Sequence, residues 1–233
     1  MLKIIRSTFL KIARNKLFLI CNAVFLIYCI CLAIYTSRGH NNDYLNGYPF
    51  VGFYVFLNTF AILGDEFSAK AIRNKLVIGL SKQKIYLSGL ISSTIVNLIG
   101  VTLFYSITLL SLRSTNATMP ANYLFINFFI NTVNVCYYTT IFTCIIMTAK
   151  NSITSLVVSF SLLIVTILTV EFLMFDSYNA AIRTILDILP CGQSKQISRF
   201  IDYPPWSILF FSTILIFAIN SIGMSEFKKS NIK

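Results

Sequence analysis

The chain has 233 residues and a formal net charge of +11, with 56% hydrophobic and only 12% charged residues. A soluble domain carries about 25% charged residues, so this balance argues against an ordinary soluble globule. No GxxxxGK[ST] loop, HExxH or CxxC occurs, and His40 is the single histidine, so no self-contained ATPase, zinc hydrolase or dithiol site can be assembled.

Residues 2 to 14 come first. Leu2, Ile5, Phe9 and Ile12 recur at helical spacing, with Lys3, Arg6, Lys11 and Arg14 on the remaining surface. This pattern predicts a basic amphipathic helix lying in the headgroup region of a membrane. The apolar run that follows is longer than the 7–15 residues of a signal-peptide core, and is read as a retained first span.

A helix needs about 20 mainly apolar residues to cross a bilayer. Six stretches meet or approach that length: 17–35, 48–64, 85–112, 123–148, 153–175 and 206–224. Five contain no charged residue, and the fifth in order contains only Glu171. The predicted fold is all-α, a single polytopic domain of six transmembrane helices over residues 1–233.

The basic residues alternate between the connections. Fourteen lie before the first span, between the second and third, after the fourth and after the sixth, against five in the other connections. That is the positive-inside pattern, and it predicts both termini in the cytoplasm. The positive charge therefore reads as topology and contact with anionic lipid, not as a nucleic-acid surface.

Between the second and third spans, residues 65–84 carry seven charges: Asp65, Glu66, Lys70, Arg73, Lys75, Lys82 and Lys84. Phe67, Ala71, Leu76, Ile78 and Leu80 alternate with them, which predicts a short two-sided docking helix outside the membrane, with a break at Gly79 and Ser81. Between spans five and six, Ile182, Ile185, Leu186 and Leu189 form a second stripe ended by Pro190 and Gly192, read as an outer amphipathic helix. Trp206 follows Pro204 and Pro205 at headgroup level.

Two features lie within spans. Asn127, Asn131 and Asn134, extended by Tyr138, form a polar seam on one face of span four. Such a seam must face protein or water, as interhelical glue, as the lining of a path, or as a subunit interface. Glu171 lies near the outer end of span five and is read first as reaching the headgroups, with a substrate or proton site as the alternative. Cys21, Cys29, Cys31, Cys136 and Cys144 read as small packing residues, and Cys191 lies in an outer connection.

The whole layout resembles the permease subunits of type-2 ABC exporters, particularly the small ones of lantibiotic immunity and peptide export. The stretches that carry the resemblance are Gly64-Asp65-Glu66-Phe67, Ile72-Arg73-Asn74-Lys75-Leu76 and Gly79-Leu80-Ser81-Lys82-Gln83-Lys84-Ile85-Tyr86. Lys70-Ala71 replace the Gly-Thr pair of that pattern, Lys82 its Arg, and Gly89 its Lys. The resemblance implies a bacterial plasma-membrane protein, not itself an enzyme, that exports or expels an amphipathic peptide such as a bacteriocin. It further implies a second permease copy, identical or related, and a separate ATP-binding subunit that holds ATP and Mg and acts through the charged residues of 65–84. This chain needs no cofactor of its own in that reading. An energy-independent carrier or a passive immunity or scaffold protein is the alternative; a membrane-embedded enzyme lacks the clustered acids and nucleophiles it would require.

The charge asymmetry generates a first prediction. A membrane-impermeant thiol reagent applied to intact cells labels Cys191 and leaves Cys21 unmodified; labelling of Cys21 alone would reverse the orientation.

Overall fold

The computed structural model describes residues 2–37, 48–64, 69–114, 121–149, 151–176, 189 and 206–230. Every regular element among them is a helix: α1 (Leu2–Ile12), α2 (Lys16–Ser37), α3 (Tyr48–Leu63), α4 (Ala69–Val77), α5 (Lys82–Ser114), α6 (Ala121–Thr148), α7 (Ser152–Asp176) and α8 (Trp206–Lys229). Each of the six apolar stretches is helical over nearly its whole length. Among the described residues, four helices are long and apolar enough to cross a membrane, over Lys82–Ile107, Phe128–Thr148, Ser152–Val170 and Leu209–Lys229. A fifth is reached if α1 and α2 count as one span, bent by 69° at the break between them. The apolar core of α3, Val51–Leu63, is shorter than the rest. The 16 residues of α3 rise about 24 Å, less than the hydrocarbon thickness.

Short polar side chains set the helix boundaries. Asn15 caps α2: its Oδ1 accepts the N–H of Leu17 at 2.9 Å and of Phe18 at 3.3 Å. These are two of the four donors that a helix start leaves without an internal partner. The Asn15 Nδ2 then donates to the Ala61 carbonyl at 2.7 Å, near the end of α3. Asn151 caps α7 through the Ile153 N–H at 3.2 Å. The end of α4 is a Schellman turn, in which Gly79 N donates to Leu76 O and Leu80 N to Lys75 O. Gly79 has φ of +86° there, a conformation only glycine takes without strain. The break falls where Gly79 and Ser81 place it.

The bundle is organised around α6, which packs against α3, α5, α7 and α8, while α2 closes on α3 and α5. Close contacts show how the helices alternate. Gly89 of α5 lies against Leu63 of α3 and Met147 of α6, and Gly223 of α8 lies against Tyr86 of α5 and Cys144 of α6. The starts of α2, α5 and α7 and the ends of α3, α6 and α8 therefore share one end of the bundle, together with α1 and α4. This is also the end that gathers the basic residues: Lys3, Arg6, Lys11, Arg14 and Lys16 around α1, Lys70, Arg73 and Lys75 on α4, Lys82 and Lys84 on α5, and Lys228 and Lys229 on α8.

The outer faces are apolar. Ile20, Val24 and Ile27 of α2, Val157 and Val165 of α7, and Phe210 and Phe217 of α8 are all exposed. Continuous apolar surface on this scale exceeds what a monomer keeps in water, and suits a protein embedded in a membrane. One expectation is modified. The apolar stripe of α1 does turn inward, with Ile12 buried and Ile5 and Phe9 half-buried, but it packs on α3 and α5 of the same chain. The predicted outer helix of 182–189 lies outside the described residues, except that Leu189 is half-buried against the core.

The tightest helix crossing generates the second prediction. A Cβ at Gly100 would stand 1.8 Å from the Tyr54 hydroxyl and 2.3 Å from its Cζ, and the Tyr54 ring is itself stacked on Phe25 at 3.8 Å. Gly100→Ala therefore forces the ring from its place and costs about 1–3 kcal/mol. Thermal unfolding in detergent will show a clear loss, restored in part by combining it with Tyr54→Leu.

Candidate functional site

The predicted functional residues fall into two groups, at the basic end and in the bundle interior. At the basic end, Asp65 and Glu66 lie outside the described residues, and of Lys70 only the position on α4 is described. Arg73 and Lys84 are exposed and Lys75 is half-buried. α4 carries Ile72 buried beneath it, with Leu76 and Leu80 packed against the core, so its outer surface is left to Arg73, Asn74, Val77 and Ile78. Both Val77 and Ile78 are 79% exposed, which gives α4 an outer surface of mixed charged and apolar character.

Lys82 does something its charge alone did not announce. Its Nζ donates to the Lys228 carbonyl at 2.8 Å and to the Ser230 carbonyl at 2.6 Å. A helix end leaves its last carbonyls without internal partners and carries partial negative charge, so an ammonium there satisfies both. The first turn of α5 is thereby clamped to the last turn of α8.

In the interior, the Asn row of α6 lies among the other helices. Asn131 is buried and its Nδ2 donates to the Tyr105 hydroxyl on α5. Asn134 is 1% exposed. Tyr138 is buried and stacked on Phe142 one turn along, at 5.9 Å with 10° between the ring planes. The side chains of Asn127 on α6 and Glu171 on α7 lie outside the described residues.

The larger part of the polar interior was not singled out from the sequence. Asn97 of α5 is fully buried and its Nδ2 donates to Thr59 Oγ1 on α3 and to Thr139 Oγ1 on α6, both at 3.0 Å. One amide thus joins three helices. A second junction lies between α2 and α3, where Asn22 Nδ2 donates to Asn58 Oδ1 at 3.0 Å and the Tyr54 hydroxyl donates to Asn22 Oδ1 at 3.1 Å. Asn58 and Thr59 are adjacent on α3, so the two junctions meet there. The available signal was one Asn in each of several otherwise apolar spans: Asn22, Asn58, Asn97 and Asn220 stand singly, and a search for spaced rows within one span passes over them.

Chemically, this interior is neutral. It offers amides and hydroxyls, and among the described residues no three His, Cys, Asp or Glu side chains come together as metal ligands. The Cys21, Cys29, Cys31, Cys136 and Cys144 thiols are all free. Such a set can hold helices in register or hydrogen-bond a polar guest. Asn58 Nδ2, Asn97 Oδ1, Ser93 Oγ, Thr143 Oγ1, Ser159 Oγ and Asn220 Oδ1 are buried without a hydrogen-bond partner among the described residues, so the interior retains both donors and acceptors.

The third prediction isolates the three-helix junction. Asn97→Leu removes both interhelical hydrogen bonds at similar volume and lowers stability by about 1 kcal/mol, within the range found for hydrogen bonds between membrane helices. Thr102→Val, on the exposed face of the same helix, leaves it within about 0.5 kcal/mol. Equal unfolding of the two variants in a denaturant titration in micelles would remove Asn97 from its organising role.

Compared with protein-family models and with curated proteins, the chain matches none, so the assignment of these two regions rests on their own chemistry.

Proposed function

We propose that this chain is the membrane-spanning subunit of an ATP-driven exporter of the type-2 kind, with six spans, both termini in the cytoplasm, and an amphipathic peptide as its cargo. The observation that carries the reading is α4. It is a nine-residue helix outside the apolar bundle, at the basic end, between the second and third long apolar segments, and joined by a tight turn to α5. A soluble ATP-binding subunit pressing on α4 would act on the 33-residue α5, which touches α1, α2, α3, α6 and α8. The Lys82 clamp extends that connection to α8.

In this reading the peptide follows the α5–α6 boundary, where Asn131 meets Tyr105 and Asn134 and Tyr138 lie buried, once the helices part. A peptide has amide groups to exchange for the interhelical hydrogen bonds, and apolar side chains to set against the surrounding Phe and Leu. A second copy of the permease covers part of the exposed apolar surface. ATP and Mg belong to the partner subunit.

The fourth prediction tests the docking role and the cargo together. The intact chain, expressed with its genomic neighbours, copurifies with an ATP-binding subunit. Reversing charge with Glu66→Lys and Arg73→Glu removes that association and the transport, while membrane insertion is kept. Loss of each charge-assisted contact costs about 1.5–3 kcal/mol. Deleting the subunit raises sensitivity to a membrane-active peptide or traps such a peptide in its producer. Normal function with no ATP-binding partner would leave the energy-independent carrier or scaffold in its place.

A further inference from the structure

The bend between α1 and α2 has a surface that the export reading does not use. On the outward face of α1, Arg6, Leu10 and Arg14 follow one another at four-residue spacing, with Ser7 and Lys11 beside them, and together they line one shallow groove. A second groove, of about 300 Å³, runs from Lys11 and Arg14 inward over Thr8, Ile12 and Asn15 to Ala61 and Ile62 at the end of α3. Arg6, Lys11 and Arg14 are exposed, and no carboxylate lines either groove.

Two properties of this place point to the same ligand. The cations converge on a concave site with an apolar floor, and charge at this density attracts a phosphate. The chain then enters α2, which presents an exposed apolar stripe through Ile20, Val24 and Ile27, and Leu10 on α1 is 63% exposed. A ligand that fits has an anionic phosphate at one end and hydrocarbon at the other. A free phosphate would use the cations and leave the stripe unoccupied.

We propose that the α1–α2 bend is a binding site for an anionic phospholipid, with Lys11 and Arg14 holding the phosphate, Arg6 at its rim, and the acyl chains lying along Ile20, Val24 and Ile27. The bend joins the two halves of the site, because the 69° turn links the basic α1 directly to the apolar α2. Lys11 and Arg14 are exposed side chains outside the packed core, so they can be neutralised without removing packing.

The test uses the full-length protein in lipid nanodiscs, with phosphatidylglycerol titrated into phosphatidylcholine and bound lipid read by native mass spectrometry. Phosphatidylglycerol is retained in preference to phosphatidylcholine. Each charge removed weakens binding about fivefold, so Lys11→Gln with Arg14→Gln weakens it about 25-fold. Lys228→Gln with Lys229→Gln, at the same end of the bundle, changes it less than about twofold on the same scale. Equal loss in both pairs would reduce the effect to general surface charge and overturn the site, as would unchanged binding in the first pair. Displacement of the lipid by excess inorganic phosphate would make this a phosphate site and overturn the lipid assignment.

Discussion

An amide placed in an apolar helix can meet only part of its hydrogen-bonding capacity on its own backbone, as Asn22 does at the Phe18 carbonyl, and finds the rest on another helix because hydrocarbon offers none. Asn97 meets that demand twice, through Thr59 and Thr139, and so fixes α3, α5 and α6 relative to one another. Apolar packing alone leaves membrane helices free to rotate and slide at little cost, since lipid tails resemble the side chains they would replace. The polar contacts choose one register from among those alternatives. Asn22 and Asn58 do the same for α2 and α3, and Asn131 with Tyr105 for α5 and α6. The glycines complete the arrangement by allowing approach: Gly100 admits the Tyr54 ring, and Gly223 admits Tyr86 and Cys144.

The same economy separates the two regions with functional potential. Most of the basic residues gather at one end, on α1, α4, the start of α5 and the end of α8, where water and headgroups solvate them. The interior keeps only neutral donors and acceptors, which can exchange partners without the large cost of moving a charge through hydrocarbon. Movement of α5 against α6 would trade one set of neutral hydrogen bonds for another, and in the proposed export reading a soluble partner at the basic end would set that movement going.

Much of the fold was legible in the amino-acid order. Continuous runs of Phe, Leu and Ile define the six long helices within a few residues, because in a membrane the apolar length and the helix length are tied together. The turn at Gly79 was legible for a local reason, the need for positive φ. Less legible was which face of each helix looks inward. Helices that are hydrophobic all round carry little directional signal, so Asn97 and Asn58 look like isolated impurities until three helices are brought together. The stripe on α1 is open to two readings for a related reason: an amphipathic face fits a lipid surface or a protein groove equally well, and its inward residues pack on α3 and α5. Lys82 was legible as a charge in a charged segment, and only the position of α8 turns it into a clamp.

That clamp has a bearing on biogenesis. Lys82 and its acceptors are 146 and 148 residues apart in sequence, and a chain made from its N-terminus inserts α5 long before α8 exists. During that interval the Lys82 ammonium is solvated at the membrane surface and the α5 start has no fixed neighbour there. Arrival of α8 supplies two carbonyls and adds the helix that packs against both α5 and α6. The contact is therefore a chemical signature of completed assembly. A ribosome stalled before α8 would leave a half-built bundle with that lysine still in water, open to quality-control proteases.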